Sequence, residues 1–342
     1  MSLMTSLVVT SIAAPNAPLR VLAGLASKQS WHFYLVGDER SPAEFHLPGC
    51  DFYALARQSE TGFRFAQNCP TRHYARKNIG YLLAFREGAE VIVETDDDNI
   101  PRQAFGNARR QQANAPLICN TGWLNVYRYY SAAPIWPRGL PLDAIHDAIP
   151  ELPPASEVNC PIQQGLTDEN PDVDAIYRLT SSLPIRFRRG IRVALGKGSW
   201  CPFNSQNTTW FLDAFPLMYL PAYCSFRMTD IWRGLVAQRI AWEYGWSMLF
   251  HEATMGQERN EHNLMKDFAD EIPGYLLNRR IGCCLDSLSL SRSSADIENN
   301  LRTCYEALVE ADIMNRRELL LLDAWLKDLK DIGLMAGTNA GA

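Results

Sequence analysis

Apolar residues in the first 95 positions fall into short unbroken runs separated by helix-spaced stripes. Residues 5–12 (TSLVVTSI) and 32–36 (HFYLV) read as buried strands, and 90–93 (EVIV) is apolar enough to be covered on both faces. Between them, a turn at Pro15-Asn16 precedes a helix around Leu19–Ser27. A second helix is expected over Lys77–Glu87, with Ile79, Leu82 and Leu83 on one face and Tyr81 and Phe85 on another. Gly88 stands where its C-cap should be. Strand, helix, strand, helix, strand implies a parallel sheet with right-handed crossovers. Such sheets bind ligands in the crevice beyond the carboxyl ends of their strands, where Thr10–Ile12, Asp38 and Thr95–Asn99 fall.

The stretch from about 115 to 255 is rich in Pro and Trp, and seven of the nine tryptophans lie between Trp123 and Trp246. Helical spacing returns at Asp230–Glu243, and Trp246–Phe250 reads as a strand. Beyond residue 260 the pattern is helical, over Asp296–Glu310 and Arg316–Asp331. Leu319, Leu322, Leu326 and Leu329 form a stripe that must be covered, by this chain or by a second copy. A small, polar tail is expected from Gly337, and no internal repeat is visible.

Composition narrows the classes. The 342 residues are 47% hydrophobic and 21% charged, which excludes a disordered or collagen-like chain. With 33 Lys and Arg against 38 Asp and Glu, the net charge of -5 argues against a broad nucleic-acid or anionic-membrane footprint. Nine dispersed cysteines, an odd number, suggest neither a disulfide framework nor a zinc site, so a reduced, cytoplasmic setting is expected. No stretch approaches the ~20 apolar residues of a membrane span. Met1–Ala14 lacks a basic start and reads as a first strand rather than a signal peptide.

The strongest chemical signal is Glu94-Thr95-Asp96-Asp97-Asp98-Asn99. Carboxylates crowded at a strand end repel one another unless a cation is present, and hard divalent ions such as Mg²⁺ or Mn²⁺ take such oxygen ligands. Asp96 and Asp98, two apart on an extended chain, can point the same way. An EF-hand is excluded because its sixth and twelfth loop positions would be Pro101 and Asn107. Upstream, Arg72, Arg76 and Lys77 precede or open a helix, so their charge adds to the field of its N-terminus and makes an anion site. A second DxD, Asp172-Val173-Asp174, follows a polar loop and suits helix capping or wall-building better than metal binding.

The run RKNIGYLLAFREGAEVIVETDDDN (76–99) resembles the core of GT-A glycosyltransferases and, most closely, the STELLO glycosyltransferase family. VVTSI (8–12), VGD (36–38), NVY (125–127), WPRGLP (136–141), QQGLTDENPDVDAIYRLT (163–180), NSQNT (204–208) and FRMTDIWRGLVAQRIAW (226–242) extend the likeness in order. The resemblance implies an α/β GT-A fold, a mainly parallel sheet flanked by helices. A catalytic domain is expected over 1–258, with a nucleotide-binding half (1–110) and an acceptor half (111–258). A helical appendage (259–336) and a disordered tail (337–342) would follow. It also implies a nucleoside-diphosphate sugar donor, UDP-linked as the first choice, and a hydroxyl acceptor. Asp96 and Asp98 match the metal-binding aspartates. Ser11, Ile12 and Asp38 match strand-end positions that usually hold base and ribose; by charge and position beside the acidic run, Arg76 and Lys77, with Asp97, are the candidate residues bordering a diphosphate.

In the middle region, Asn204–Thr208 concentrates amides and hydroxyls suited to sugar hydroxyls, with Asn207 as a contact, or else forms a polar turn with Trp200 and Trp210 in the core. Asp230 is the candidate base of an inverting transfer, with N-capping as the plainer alternative. His251, closing the 246–250 strand, is a candidate metal or diphosphate contact, with His262 competing. Two other functions stay open: a haloacid-dehalogenase-like phosphotransferase, because Asp96–Ile100 approximates DxDx(T/V), and a non-catalytic carbohydrate-binding or scaffold protein.

Overall fold

A computed structural model describes residues 3–258 and 263–334. The first apolar run forms β1 (Thr5–Thr10), followed by α1 (Ala17–Gln29), whose N-cap Asn16 accepts a hydrogen bond from the Leu19 amide. Next come β2 (His32–Val36), β3 (Asp51–Tyr53), α2 (Lys77–Arg86) and β4 (Val91–Thr95). These four strands pair in parallel, and Val8 of β1 sits level with Tyr34 of β2 and Glu94 of β4. The expected parallel sheet is therefore present. All but the last residue of α2 is buried. Gly80 sets its close approach to the sheet, since a Cβ there would lie 2.5 Å from Val8 Cγ1.

The sheet continues through β5 (Asn99–Pro101), β6 (Leu117–Ile118), β7 (Ile162–Asp168), β8 (Arg192–Leu195), β9 (Asn207–Phe211) and β10 (Met248–Gln257). Among the described residues it has ten strands in the order β3-β2-β1-β4-β9-β7-β10-β8-β6, with β5 pairing the end of β10. β9 runs antiparallel to both β4 and β7, so parallel pairing gives way to a mixed half beyond β4. Strand periodicity reports burial and not direction, which is why the reversal is invisible in the sequence.

Helix α3 (Thr229–Glu243) is buried over its first fourteen residues. Then follow α4 (Leu264–Asp286), α5 (Ile297–Glu310) and α6 (Arg317–Ile332). These last three helices are an integral layer rather than an appendage. Leu322, Leu326 and Leu329 of the expected stripe are buried, with Leu321 and Trp325, in the same core as Val8, Ile92 and Trp210; Leu319 packs at its margin. Two buried carboxylates lock α6 in place. Glu318 accepts from the amides of Ala222 and Tyr223 and from the Tyr219 hydroxyl. Asp328 accepts from the amides of Arg64 and Phe65 at 3.0 and 2.8 Å. Trp200, Trp210, Trp232 and Trp242 are also core residues. No helix among the described residues is long and apolar enough to cross a membrane. His262 and the 337–342 segment lie outside the described residues.

Candidate functional site

Because β1, β2 and β4 are parallel neighbours, their carboxyl ends open at one edge. A cleft of about 770 Å³ lies there. One wall carries Ser11, Ile12 and Asp38 from the ends of β1 and β2 and Asp96, Asp97 and Asp98 from the end of β4. The segment entering α2 adds Arg72, His73, Tyr74 and Arg76. The facing wall carries Arg138, Asp172, Ser205, Gln206 and Asp230, and Gln257, Lys266 and Asp270 complete it.

The three consecutive aspartates have different partners. Asp96 meets Lys77 Nζ at 3.0 Å, and Lys77 is fully buried. The Asp96 carboxyl is raised to about 6, mainly by desolvation, with Lys77 pulling it down and Asp98 pushing it up. Asp97 accepts from the Ser11 hydroxyl, tying the ends of β1 and β4 together, and burial raises its carboxyl too. Asp98 accepts from Gln257 Nε2 at 3.0 and 3.1 Å. Glu94 belongs elsewhere. It is buried in an ion pair with Arg233 at 2.8 Å and accepts from Trp210 Nε1.

The basic segment behaves differently from the expected anion site. Lys77 is not a cleft-facing cation, because its ammonium is spent on Asp96 Oδ1 and the Thr95 carbonyl. Arg76 reaches the cleft wall, yet its guanidinium donates to Gln58 Oε1 and the Cys69 carbonyl. Arg72 pairs with Glu39 at the rim. Asp38 accepts from the His73 amide at 2.9 Å and so joins the β2 end to this segment. His73 Nδ1 accepts from the Ala75 amide, and burial lowers that imidazole to about 4, so it is neutral near pH 7.

The facing wall is organised by Arg138, a residue the sequence reading did not single out. Its Nε and Nη2 donate to Asp172 at 2.8 Å each, and Nη1 and Nη2 donate to Asp230 at 3.1 and 3.0 Å. The turn that presents it needs Gly139, which has φ +87° and whose added Cβ would lie 2.5 Å from Ile231 Cγ2. A Pro-Arg-Gly turn was the one available sequence signal for it. Asp230 also accepts from the Ser205 amide at 3.2 Å and the Tyr74 hydroxyl at 3.2 Å. Burial alone would raise its carboxyl, but the charge and hydrogen bonds of Arg138 outweigh that and hold it down at about 2. A carboxylate this acidic is a poor proton acceptor, so its geometry fits an anchor for Arg138 and not a free general base.

Two further expectations are corrected by the strands themselves. Asn207 opens β9 and donates into the sheet, to the Leu166 carbonyl at 2.9 Å and Thr254 Oγ1 at 3.0 Å, rather than lining the cleft. His251 does not close its strand, which runs on to Gln257. It sits level with Gly165 and Arg192, whereas Gln257, six residues further on, reaches Asp98. Burial and the charge of Arg109 lower the His251 imidazole to about 3. The second DxD is as expected: Asp174 caps the short helix Ala175–Thr180, and Asp172 builds the cleft wall.

Comparison with known proteins follows the same lines. Residues 227–338 match the model of the STELLO glycosyltransferases, a stretch that begins beside Asp230 and runs through α3 to α6. Two Arabidopsis thaliana proteins, "Probable glycosyltransferase STELLO2" and "Probable glycosyltransferase STELLO1", are 28% and 27% identical to it over 94% of this chain. The chain is similar to the STELLO glycosyltransferases. It spans 44% of the length of those two relatives. A solved mycobacterial protein covers 81% of this STELLO-like chain and 74% of its own, at 10% identity and a TM-score of 0.39.

Proposed function

We propose that the chain is a metal-dependent glycosyltransferase of GT-A type. It would move a sugar from a nucleoside-diphosphate sugar, UDP-linked in the first instance, to a hydroxyl acceptor. The observation that carries this reading is the convergence of Asp96 and Asp98 with the β1 and β2 ends in one cleft, opposite a wall built on Arg138. The residues suit a divalent cation. Among the described residues no group of three or more His, Cys, Asp or Glu side chains is arranged to hold a metal. Two carboxylates are nonetheless what Mg²⁺-type sites use when phosphate oxygens complete the shell. Asp98 adds repulsion to the desolvation that raises the Asp96 carboxyl, and a cation between the two would offset both.

Asp96 and Asp98 would hold a divalent metal, which would supply neutralisation of the departing diphosphate. The protein's own groups do the rest. Ser11, Ile12 and Asp38 offer the strand-end shelf for the nucleoside, and Ser205 and Gln206 present amide and hydroxyl groups to the sugar. The Arg138–Asp230–Asp172 cluster fixes the acceptor-side wall before substrate arrives. With Asp230 committed to Arg138, inversion through that residue loses its support, and the proposal is for transfer itself. Residues from both 1–110 and 111–258 line the cleft, which supports their reading as donor and acceptor halves, and Lys266 and Asp270 of α4 join them.

Calorimetry of UDP binding with and without Mn²⁺ tests the reading. Metal-dependent affinity is expected in the wild type, with a loss of at least about ten-fold in Asp96→Ala and in Asp98→Ala. Undiminished metal-dependent binding in both variants would overturn it.

A further inference from the structure

A second cavity, of about 400 Å³, opens beside Ile135 and Trp136, two residues before Arg138. Its size lies within the ~300–1,000 Å³ range of small-molecule sites. Ile145 and Ile149 complete an apolar floor with those two residues, and Arg128 and Arg188 stand in its wall. No carboxylate lines it among the described residues, a notable exclusion in a chain of net charge -5. Arg128 is held in place by donating to the Asp147 carbonyl at 2.5 Å. Arg188 is anchored through its backbone amide to the Tyr130 carbonyl at 2.8 Å, and its exposed guanidinium forms no ion pair among the described residues.

One buried polar atom at this cavity is unsatisfied. Asn125, 3% exposed, donates its Nδ2 to the carbonyls of Ile135 and Ile145 at 2.9 and 3.3 Å. Its Oδ1 has no hydrogen-bond partner among the described residues. A buried acceptor left unpaired is costly, so the site is complete only with a donor group. Two guanidiniums ask for a carboxylate or phosphate, the orphan acceptor asks for a hydroxyl, and the isoleucine floor asks for a C–H face.

We propose that this cavity is a second ligand site, distinct from the cleft, for an acidic sugar: a hydroxylated ring carrying an anionic group. The strap between the two spaces is short and fully tied. Asn125 holds Ile135, Trp136 Nε1 donates to Asp174 at 2.7 Å, and Arg138 holds Asp172 and Asp230. A ligand on Ile135 and Trp136 therefore bears directly on the segment that presents Arg138 to the cleft. The proposal stands apart from the donor reading, because it concerns binding in a different cavity.

Calorimetry of the full chain with glucuronate, glucose and inorganic sulfate tests it, with and without UDP and Mn²⁺. Glucuronate is expected to bind. Glucose, lacking the charge, and sulfate, lacking the ring, are each expected to bind at least about ten-fold more weakly. Arg188→Gln and Arg128→Gln should each weaken glucuronate about ten-fold. Arg188 is exposed, so an unchanged melting temperature in its variant separates lost binding from lost folding. UDP with Mn²⁺ should not displace glucuronate. Absence of glucuronate binding, sulfate binding as tightly as glucuronate, unaltered affinity in both arginine variants, or displacement by UDP with Mn²⁺ would each overturn the proposal.

Discussion

Arg138 shows how much of this molecule rests on single side chains. It is 6% exposed and neutralises Asp230, equally buried, and Asp172, which is 12% exposed. Removing one member of such a cluster leaves uncompensated buried charge, so Arg138→Met is expected to cost about 3–5 kcal/mol in urea unfolding at pH 7. Arg138→Lys should recover only part of it, because one ammonium cannot reproduce the paired donors. Asp230 gives the pH counterpart. Its folded carboxyl, near 2, lies below the ~3.9 of an unfolded aspartate. Its stabilisation is therefore fully present above the unfolded value and is lost as pH falls from about 4 towards 2. The stability gap between wild type and Asp230→Asn should be level from pH 5 to 7 and shrink below pH 4. In transfer assays, loss of a general base typically costs ~10²–10⁴-fold. As an anchor, Asp230→Asn is expected to fall short of that range, and a larger drop with donor affinity intact would restore the base role.

At the scale of elements, α6 is where the sequence's leucine stripe acquires its meaning. The stripe supplies burial, but two carboxylates on the same helix determine where it docks. Glu318 gathers two backbone amides and a tyrosine hydroxyl, and burial raises its carboxyl above the usual range despite them. Asp328 takes both amides at the start of the short helix Arg64–Asn68. Glu318→Ala would strand two amides and a buried tyrosine hydroxyl, each at about 1–3 kcal/mol, and should lower stability more than Asp328→Ala, which strands only the Arg64 and Phe65 amides. Equal, negligible effects in chemical denaturation would show that α6 is held by its apolar face alone. The end of β4 makes a similar point. Four acidic residues lie within five positions, yet Glu94 serves the core through Arg233 while Asp96 to Asp98 serve the cleft.

The whole molecule has one main hydrophobic cluster running from β1 through α3 to α6. Truncation after Glu258 would uncover Phe65, Phe85, Phe215 and Tyr219, which pack near Trp325 or directly against it. The shortened chain is expected to lose cooperative thermal unfolding and to bind hydrophobic dye; a soluble, fully stable product would make the helices an independent module. Ligand linkage offers a second global measurement. If UDP and Mn²⁺ bind only the folded state, a hundred-fold excess over Kd should add about 2.7 kcal/mol and raise the melting temperature accordingly. Asp96→Ala should at least halve that increment while Arg188→Gln leaves it unchanged, because the two residues line different cavities.

Short-range pattern was enough to read β1, β2, β4, α1, α2 and the last two helices, and to place the aspartates at a strand end. Burial period and capping chemistry are local properties, written into consecutive residues. The same local logic marked Asp172 or Asp174 as a cap, and Asp174 takes that place. Direction and depth were not legible. That β9 runs antiparallel between β4 and β7 sends Asn207 into the sheet, and the length of β10 carries His251 away from Asp98. Lys77 read as a ligand-facing cation until the packing of α2 buried it against Asp96. Asp230 read as a base because sequence shows a carboxylate but not its counter-ion. Arg138 lies 92 residues earlier, and only the folded chain brings the two within 3.0 Å, where proximity and burial together decide the proton affinity of the pair.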